Sequence, residues 1–215
     1  MDAPAHFIRG RWYINEVPIE RMIAPAVVVD VSQQAAQNRD YEMTVDDLLE
    51  WEDLHGSIPD GAIVFLFADW ASRWPDEELY LGNADGDTTD MHYPGFSIEA
   101  AQWLVDNRVI YGVATDCASP DHGPSQDFPV HVLLLNLNIY SIENVNSLWQ
   151  LPPVGATVYA MPMKIVGGSG APCRLTAQLP LDADDSSGAM ATSLLLIYDA
   201  RLLALLVALC YKLLL

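Results

Sequence analysis

Basic residues are scarce in this chain: ten lysines and arginines face 29 aspartates and glutamates over 215 residues, a net charge of −19. Such a charge argues against nucleic acid or an anionic lipid surface as an electrostatic partner. The ordinary use of that charge is solubility. Cysteine is sparse too. Cys117, Cys173 and Cys210 are odd in number and contain no C-x-x-C, so neither a disulfide framework nor a cysteine zinc site is indicated. The G-G-S-G run at 167–170 has no G-K-[ST] and no helix pattern after it, which argues against a phosphate cradle. No secretory signal is visible.

What the chain does have is apolar content, 51% with a mean hydropathy of +0.15, which excludes a disordered polymer. At this length one domain with a sizeable core is the natural expectation. Strand and helix patterns alternate. Ala26–Val31 (A-V-V-V-D-V) reads as a buried strand and 33–40 as a polar loop. Thr44 caps a helix with Asp47 at its third position and Val45, Leu48, Leu49 and Leu54 as the apolar stripe, ended by Gly56. Ala62–Ala68 is apolar on both faces, the mark of a central strand. Asp69–Thr89 reads as a long irregular loop carrying Trp70 and Trp74, and loops of that length are usually functional or mobile. Those tryptophans either wall an aromatic pocket or simply cover the core. Ser97 caps a helix over Ile98–Asn107, followed by a buried strand at Val109–Thr115.

Three stretches can carry chemistry. In the opening M-D-A-P-A-H-F, Asp2 and His6 fall on one side of an extended segment, a pairing that suits a divalent metal and its attacking water. His131 starts a helix beside the apolar run V-L-L-L-N-L-N-I, where a histidine is ordinarily a satisfied core or capping group. Glu143 follows the strand pattern 139–143, where an unpaired charge is costly; shared metal coordination would satisfy both residues. Asp121, His122 and Asp127 are able by residue type but read as solvated loop residues.

The fragment D-A-P-A-H-F resembles the second half of the H-x-G-T-H-x-D-x-P-x-H-F motif of the cyclase-type metal-dependent hydrolases, which include kynurenine formamidases (arylformamidases) and isatin hydrolases. The resemblance recurs in Y-P-G-F-S at 93–97, D-C-A-S-P-D-H-G at 116–123, F-P-V-H at 128–131, I-E-N at 142–144 and G-G-S-G-A-P at 167–172. The H-x-G-T-H half, with two metal-binding histidines in the family, would precede Met1. None of Asp121, His122 and Asp127 aligns with a family metal ligand.

The resemblance implies a single α/β domain over 1–178, with a mixed, β-rich core and flanking helices. It implies Asp2, His131 and Glu143 as ligands of zinc or manganese, and His6 as general acid/base. Trp70 and Trp74 are candidate walls for a small aromatic amide, with N-formylkynurenine the leading substrate. It also implies a homo-oligomer. A catalytically impaired, cyclase-like binding or membrane-displayed protein is the alternative, motivated by the missing motif half and the tail. Residues 179–193 form a polar spacer. Small residues at Ser186, Ser187 and Gly188, a short spacer and the hydrophobic tail 194–215 fit a GPI-attachment signal, while Asp199, Arg201 and Lys212 leave no uninterrupted spanning helix. A membrane-lying helix or a non-native end from splicing or gene-model error are the other readings of that tail.

Overall fold

The computed structural model describes residues 1–83 and 87–180 and the backbone of Leu194–Leu196. The tail beyond Leu196, with the readings made of it, and nearly all of the spacer lie outside these residues. Among the described residues no helix is long and apolar enough to cross a membrane.

The strands are β1 (Ile23–Asp30), β2 (Glu42–Met43), β3 (Ala62–Phe67), β4 (Gly95–Phe96), β5 (Ile110–Thr115), β6 (Tyr140–Ile142), β7 (Thr157–Pro162), β8 (Cys173–Gln178) and β9 (Leu194–Leu196). The helices are α1 (Ser32–Gln37), α2 (Val45–His55), α3 (Glu77–Leu81), α4 (Ile98–Asn107) and α5 (Pro129–Asn136). Among the described residues seven strands form one sheet in the order β6-β5-β3-β1-β7-β8-β9. From β6 to β1 the neighbours are parallel, and beyond β1 they are antiparallel. The pivot is β1: Ala26–Asp30 pair with β3, while Ile23–Pro25 pair with β7.

The run A-V-V-V can sit at this pivot because both faces of the sheet are covered. Val27 and Val29 point into one cluster with Leu48, Trp51 and Leu104 from the helices. Ala26 and Val28 point into the other, with Ile63, Phe65 and Tyr140. That is the period-two alternation of a strand with apolar side chains on both sides.

Thr44 closes a full capping box with Asp47, as its spacing predicts, and Gly56 terminates α2 with φ 87°. The inner face of α2 differs from expectation. Leu48 and Trp51 are buried, whereas Leu49 and Leu54 face solvent. Trp51 wins its place because its indole N–H reaches the carbonyl of Val28 at 2.9 Å. The predicted loop at 33–40 is also corrected: Ser32–Gln37 is helical, begun where Asp30 accepts from the Ser32 N–H and anchored by the buried Ala35. Within the predicted loop 69–89 lies α3, whose Asp76 accepts from the Leu79 N–H.

The opening segment is corrected as well. Asp2 alone makes extended bridges, to Ser141 on one side and Gly170 on the other. Pro4–His6 then turn into a single 3-10 turn, so the expected strand through His6 does not form. Pro4 at the start of a turn has no N–H to leave orphaned. This turn packs against α5, which brings the two ends of the candidate site together.

Candidate metal centre

Asp2 is held from both sides. Its N–H donates to the Ser141 carbonyl at 2.8 Å, and the Ala171 N–H donates to the Met1 carbonyl at 3.0 Å. Gly170 makes this fit possible: a Cβ there would stand 3.2 Å from Asp2 Oδ1. Glu143 enters directly after β6, the strand that Asp2 bridges. His131 enters from the first turn of α5 and is 4% exposed.

The three side chains converge. His131 Nε2 lies 3.5 Å from Asp2 Oδ2 and 3.2 Å from Glu143 Oε1. One ligand atom from each of the three residues falls within 4.8 Å of the others. His6 is nearby, with Nε2 3.8 Å from Asp2 Oδ2 and Nδ1 3.3 Å from Ser169 Oγ. The 3-10 turn thus gives Asp2 and His6 the proximity that an extended segment was expected to give.

A single imidazole nitrogen between two carboxylates leaves the cluster short of positive charge. Burial and the Asp2 charge raise the Glu143 pKa, against the opposing pull of His131. Burial also works to raise Asp2. The His131 hydrogen bond and the charges of His6 and the α-ammonium outweigh it and hold Asp2 at about 2. Burial disfavours the His131 imidazolium, yet hydrogen bonds to Asp121, Asp2 and Glu143 raise its pKa well above the usual histidine range. One nitrogen and two carboxylate oxygens are a donor set suited to a divalent transition ion, which would supply the charge these groups lack. The residues present therefore fit such an ion.

Asp121 is the residue that sequence reasoning missed. It is buried, not solvated, and accepts at 2.7 Å from His131 Nδ1. Burial follows from its setting: the Asp121 N–H donates to Ser119 Oγ, and its backbone passes so close to Gly95 that a Cβ there would sit 2.5 Å from the Asp121 carbonyl carbon. His122 pairs instead with Glu42 at 3.3 Å, and Asp127 is exposed.

Trp70 and Trp74 are not brought into this cluster. Trp70 is fully buried and donates its indole N–H to the Tyr80 carbonyl at 2.7 Å, while Trp74 stands edge-on to the Tyr80 ring. Both support Tyr80, whose hydroxyl lies 2.9 Å from the Asp116 carbonyl and 2.8 Å from Asn144 Oδ1. A cavity of about 100 Å³ opens at the carboxyl ends of β3 and β5, lined by Asp116, Ser147 and the exposed Trp149, without Trp70 or Trp74.

Comparison with known proteins identifies the family. The Cyclase family model matches residues 1–122, which include Asp2, His6 and Asp121. The isatin hydrolase of Roseibium aggregatum is 34% identical over 187 residues, 83% of this chain and 70% of that protein. The chain belongs to the cyclase family of hydrolases. The kynurenine formamidase of Salinibacter ruber is 29% identical over 81% of this chain and 71% of its own length. Among solved structures, isatin hydrolase A from Ralstonia solanacearum superposes with a TM-score of 0.77 at 38% identity, covering 82% of this chain and 69% of that one. The mixed sheet with few helices is the architecture of these cyclase-family hydrolases.

Proposed function

We propose that this chain contributes a metal-dependent site that hydrolyses the amide of an aromatic amine. The observation that carries this reading is the convergence of Asp2, the buried His131 and Glu143 on one point with His6 beside them. The relatives favour it on chemical grounds. Isatin and N-formylkynurenine share a carbonyl bonded to a nitrogen that sits on a benzene ring, cyclic in the first and a formamide in the second. Isatin is the first substrate to test, given the 34% and 38% identities to isatin hydrolases, and N-formylkynurenine the second.

Asp2, His131 and Glu143 would hold the ion, with zinc and manganese both suited to these donors. A bound divalent ion would polarise the carbonyl and bring the pKa of water towards about 7. The remaining steps belong to the chain. His6 Nε2 accepts the proton of the attacking water and returns it to the departing aryl nitrogen as the C–N bond breaks. Ser169 steadies the other ring nitrogen. Phe7, next to His6 and 38% exposed, offers an aromatic edge at the mouth of the site.

The test is hydrolysis of isatin and N-formylkynurenine by the purified chain with zinc or manganese supplied, read by absorbance and product analysis. Turnover of either that disappears in His6→Ala is the expected result. Absence of hydrolysis of both substrates with both metals would overturn the proposal.

A further inference from the structure

His131 touches three carboxylates, and one of them stands apart. Asp2 and Glu143 both face Nε2, whereas Asp121 faces Nδ1 on the opposite side of the ring. Asp121 is 1% exposed and accepts three hydrogen bonds: from the Val130 N–H at 2.8 Å, the His131 N–H at 3.1 Å and His131 Nδ1 at 2.7 Å.

Two of these are the donors that the start of α5 leaves orphaned. Phe128 stands where the helix cap belongs, with φ 49° and no side-chain acceptor to offer. Asp121 supplies the cap from seven residues upstream. The third contact is not needed for capping, yet it is the shortest. A carboxylate accepts only, so the nitrogen facing it must carry the proton. Phe7 stacks on the same imidazole with ring centroids 4.7 Å apart and a 22° interplanar angle, which removes the remaining freedom of the ring to tilt.

We infer that Asp121 is the positioning residue of this site, keeping a proton on His131 Nδ1 so that Nε2 is the nitrogen that gives up its own to an ion in the space shared with Asp2 and Glu143. One carboxylate thereby sets the helix start and the ligand orientation together. The inference rests on the metal reading given above, and general experience with metal sites makes such an outer carboxylate worth about 10- to 100-fold in affinity.

The experiment titrates the full chain with zinc chloride by calorimetry, alongside Asp121→Asn, with thermal melts of both proteins. In the variant one oxygen becomes an NH2 group that only donates, so the single remaining oxygen cannot accept from the Val130 N–H on one side and from the His131 N–H and Nδ1 on the other. Zinc affinity should fall at least about tenfold in the folded variant. A second measurement needs no variant: long-range proton–nitrogen correlation of the zinc-loaded, histidine-labelled parent should place the His131 proton on Nδ1. If Asp121→Asn does not fold, this spectrum decides alone. A parent that binds zinc with the proton on Nε2, or a folded variant with unchanged affinity, overturns the positioning role and leaves the metal reading intact. A parent that takes up no zinc overturns both.

Discussion

Carboxylates are drawn in from solvent in two neighbouring regions of this molecule, fully at Asp116 and partly at Asp2 and Glu143, and are satisfied in different ways. At the end of β5, Asp116 accepts from the backbone N–H groups of Ala68 at 3.0 Å, Trp70 at 2.6 Å and Ala71 at 3.4 Å. It clasps the turn that follows β3. Around β6, Asp2 and Glu143 meet a single imidazole nitrogen. Acidity and withdrawal from solvent are common to both regions, so neither property marks a metal centre. What separates them is the ratio of acceptors to donors. Asp116 has its donors built into the fold, while the pair at His131 has more lone pairs than protons to fill them.

The sharpest way to test this contrast is the pH dependence of stability. Burial raises Asp116 to about 6 despite its backbone donors. A carboxylate whose folded pKa lies above its unfolded value of 3.8 binds its proton more tightly when folded. Its contribution is therefore present below about pH 4 and is lost as pH rises through 6, opposite in sign to ordinary acid denaturation. A shift of about two units corresponds to roughly 3 kcal/mol. Asp116→Asn should flatten the stability curve between pH 4 and 6, measured by urea denaturation of the metal-free protein. An unchanged curve in that window would show that the backbone donors offset burial fully.

Activity should separate the two regions the other way. His131→Ala and Glu143→Ala remove donors from the cluster, and turnover should fall about a hundredfold, with metal content reduced in parallel, on the scale of a disturbed metal shell. Asp116→Asn should hold turnover within about threefold, because its partners are backbone groups and Tyr80. Equal metal in Glu143→Ala and the parent by elemental analysis would remove Glu143 from the site. A loss in Asp116→Asn as large as in His131→Ala would erase the distinction drawn here.

Much of this contrast could be read along the chain. The apolar runs 26–31, 62–68 and 109–115 become β1, β3 and β5 because sheet strands covered on both faces leave a continuous apolar signature. The T-x-x-D box at Thr44 and the serine at Ser97 fix their helix starts by local hydrogen bonds that spacing alone reveals. Asp2, His6, His131 and Glu143 were legible through family motifs. Trp51 was not, because its burial depends on a Val28 carbonyl 23 residues away. Asp121 was obscured for a similar reason. The one local clue was the helix start F-P-V-H, which lacks a capping side chain and so demands an acceptor from elsewhere. Asp127 stands just before that start and answers the same demand in sequence, yet in space it is exposed and Asp121 is the acceptor.

The smallest expected effect concerns how closely the opening segment approaches the glycine loop. A Cβ at Gly170 would lie 3.1 Å from the Met1 carbonyl oxygen and 3.2 Å from Asp2 Oδ1, tighter than ordinary van der Waals contact. Because one of those atoms is backbone, Gly170→Ala must shift the opening segment by a few tenths of an ångström. Asp2 would then move relative to His131, and zinc uptake should weaken several-fold at a stability cost of about 1 kcal/mol. Gly167→Ala is the matched control. At φ +71° it carries backbone strain, but nothing lies within 4 Å of its Cβ position. It should lose about 1 kcal/mol of stability with metal uptake unchanged. Calorimetric zinc titration and urea denaturation of the two variants separate the cases. If both lose zinc affinity equally, the loop acts through general loosening, and the close approach at Gly170 has no special part in placing Asp2. If only Gly170→Ala loses it, the position of one carboxylate depends on a missing methyl group.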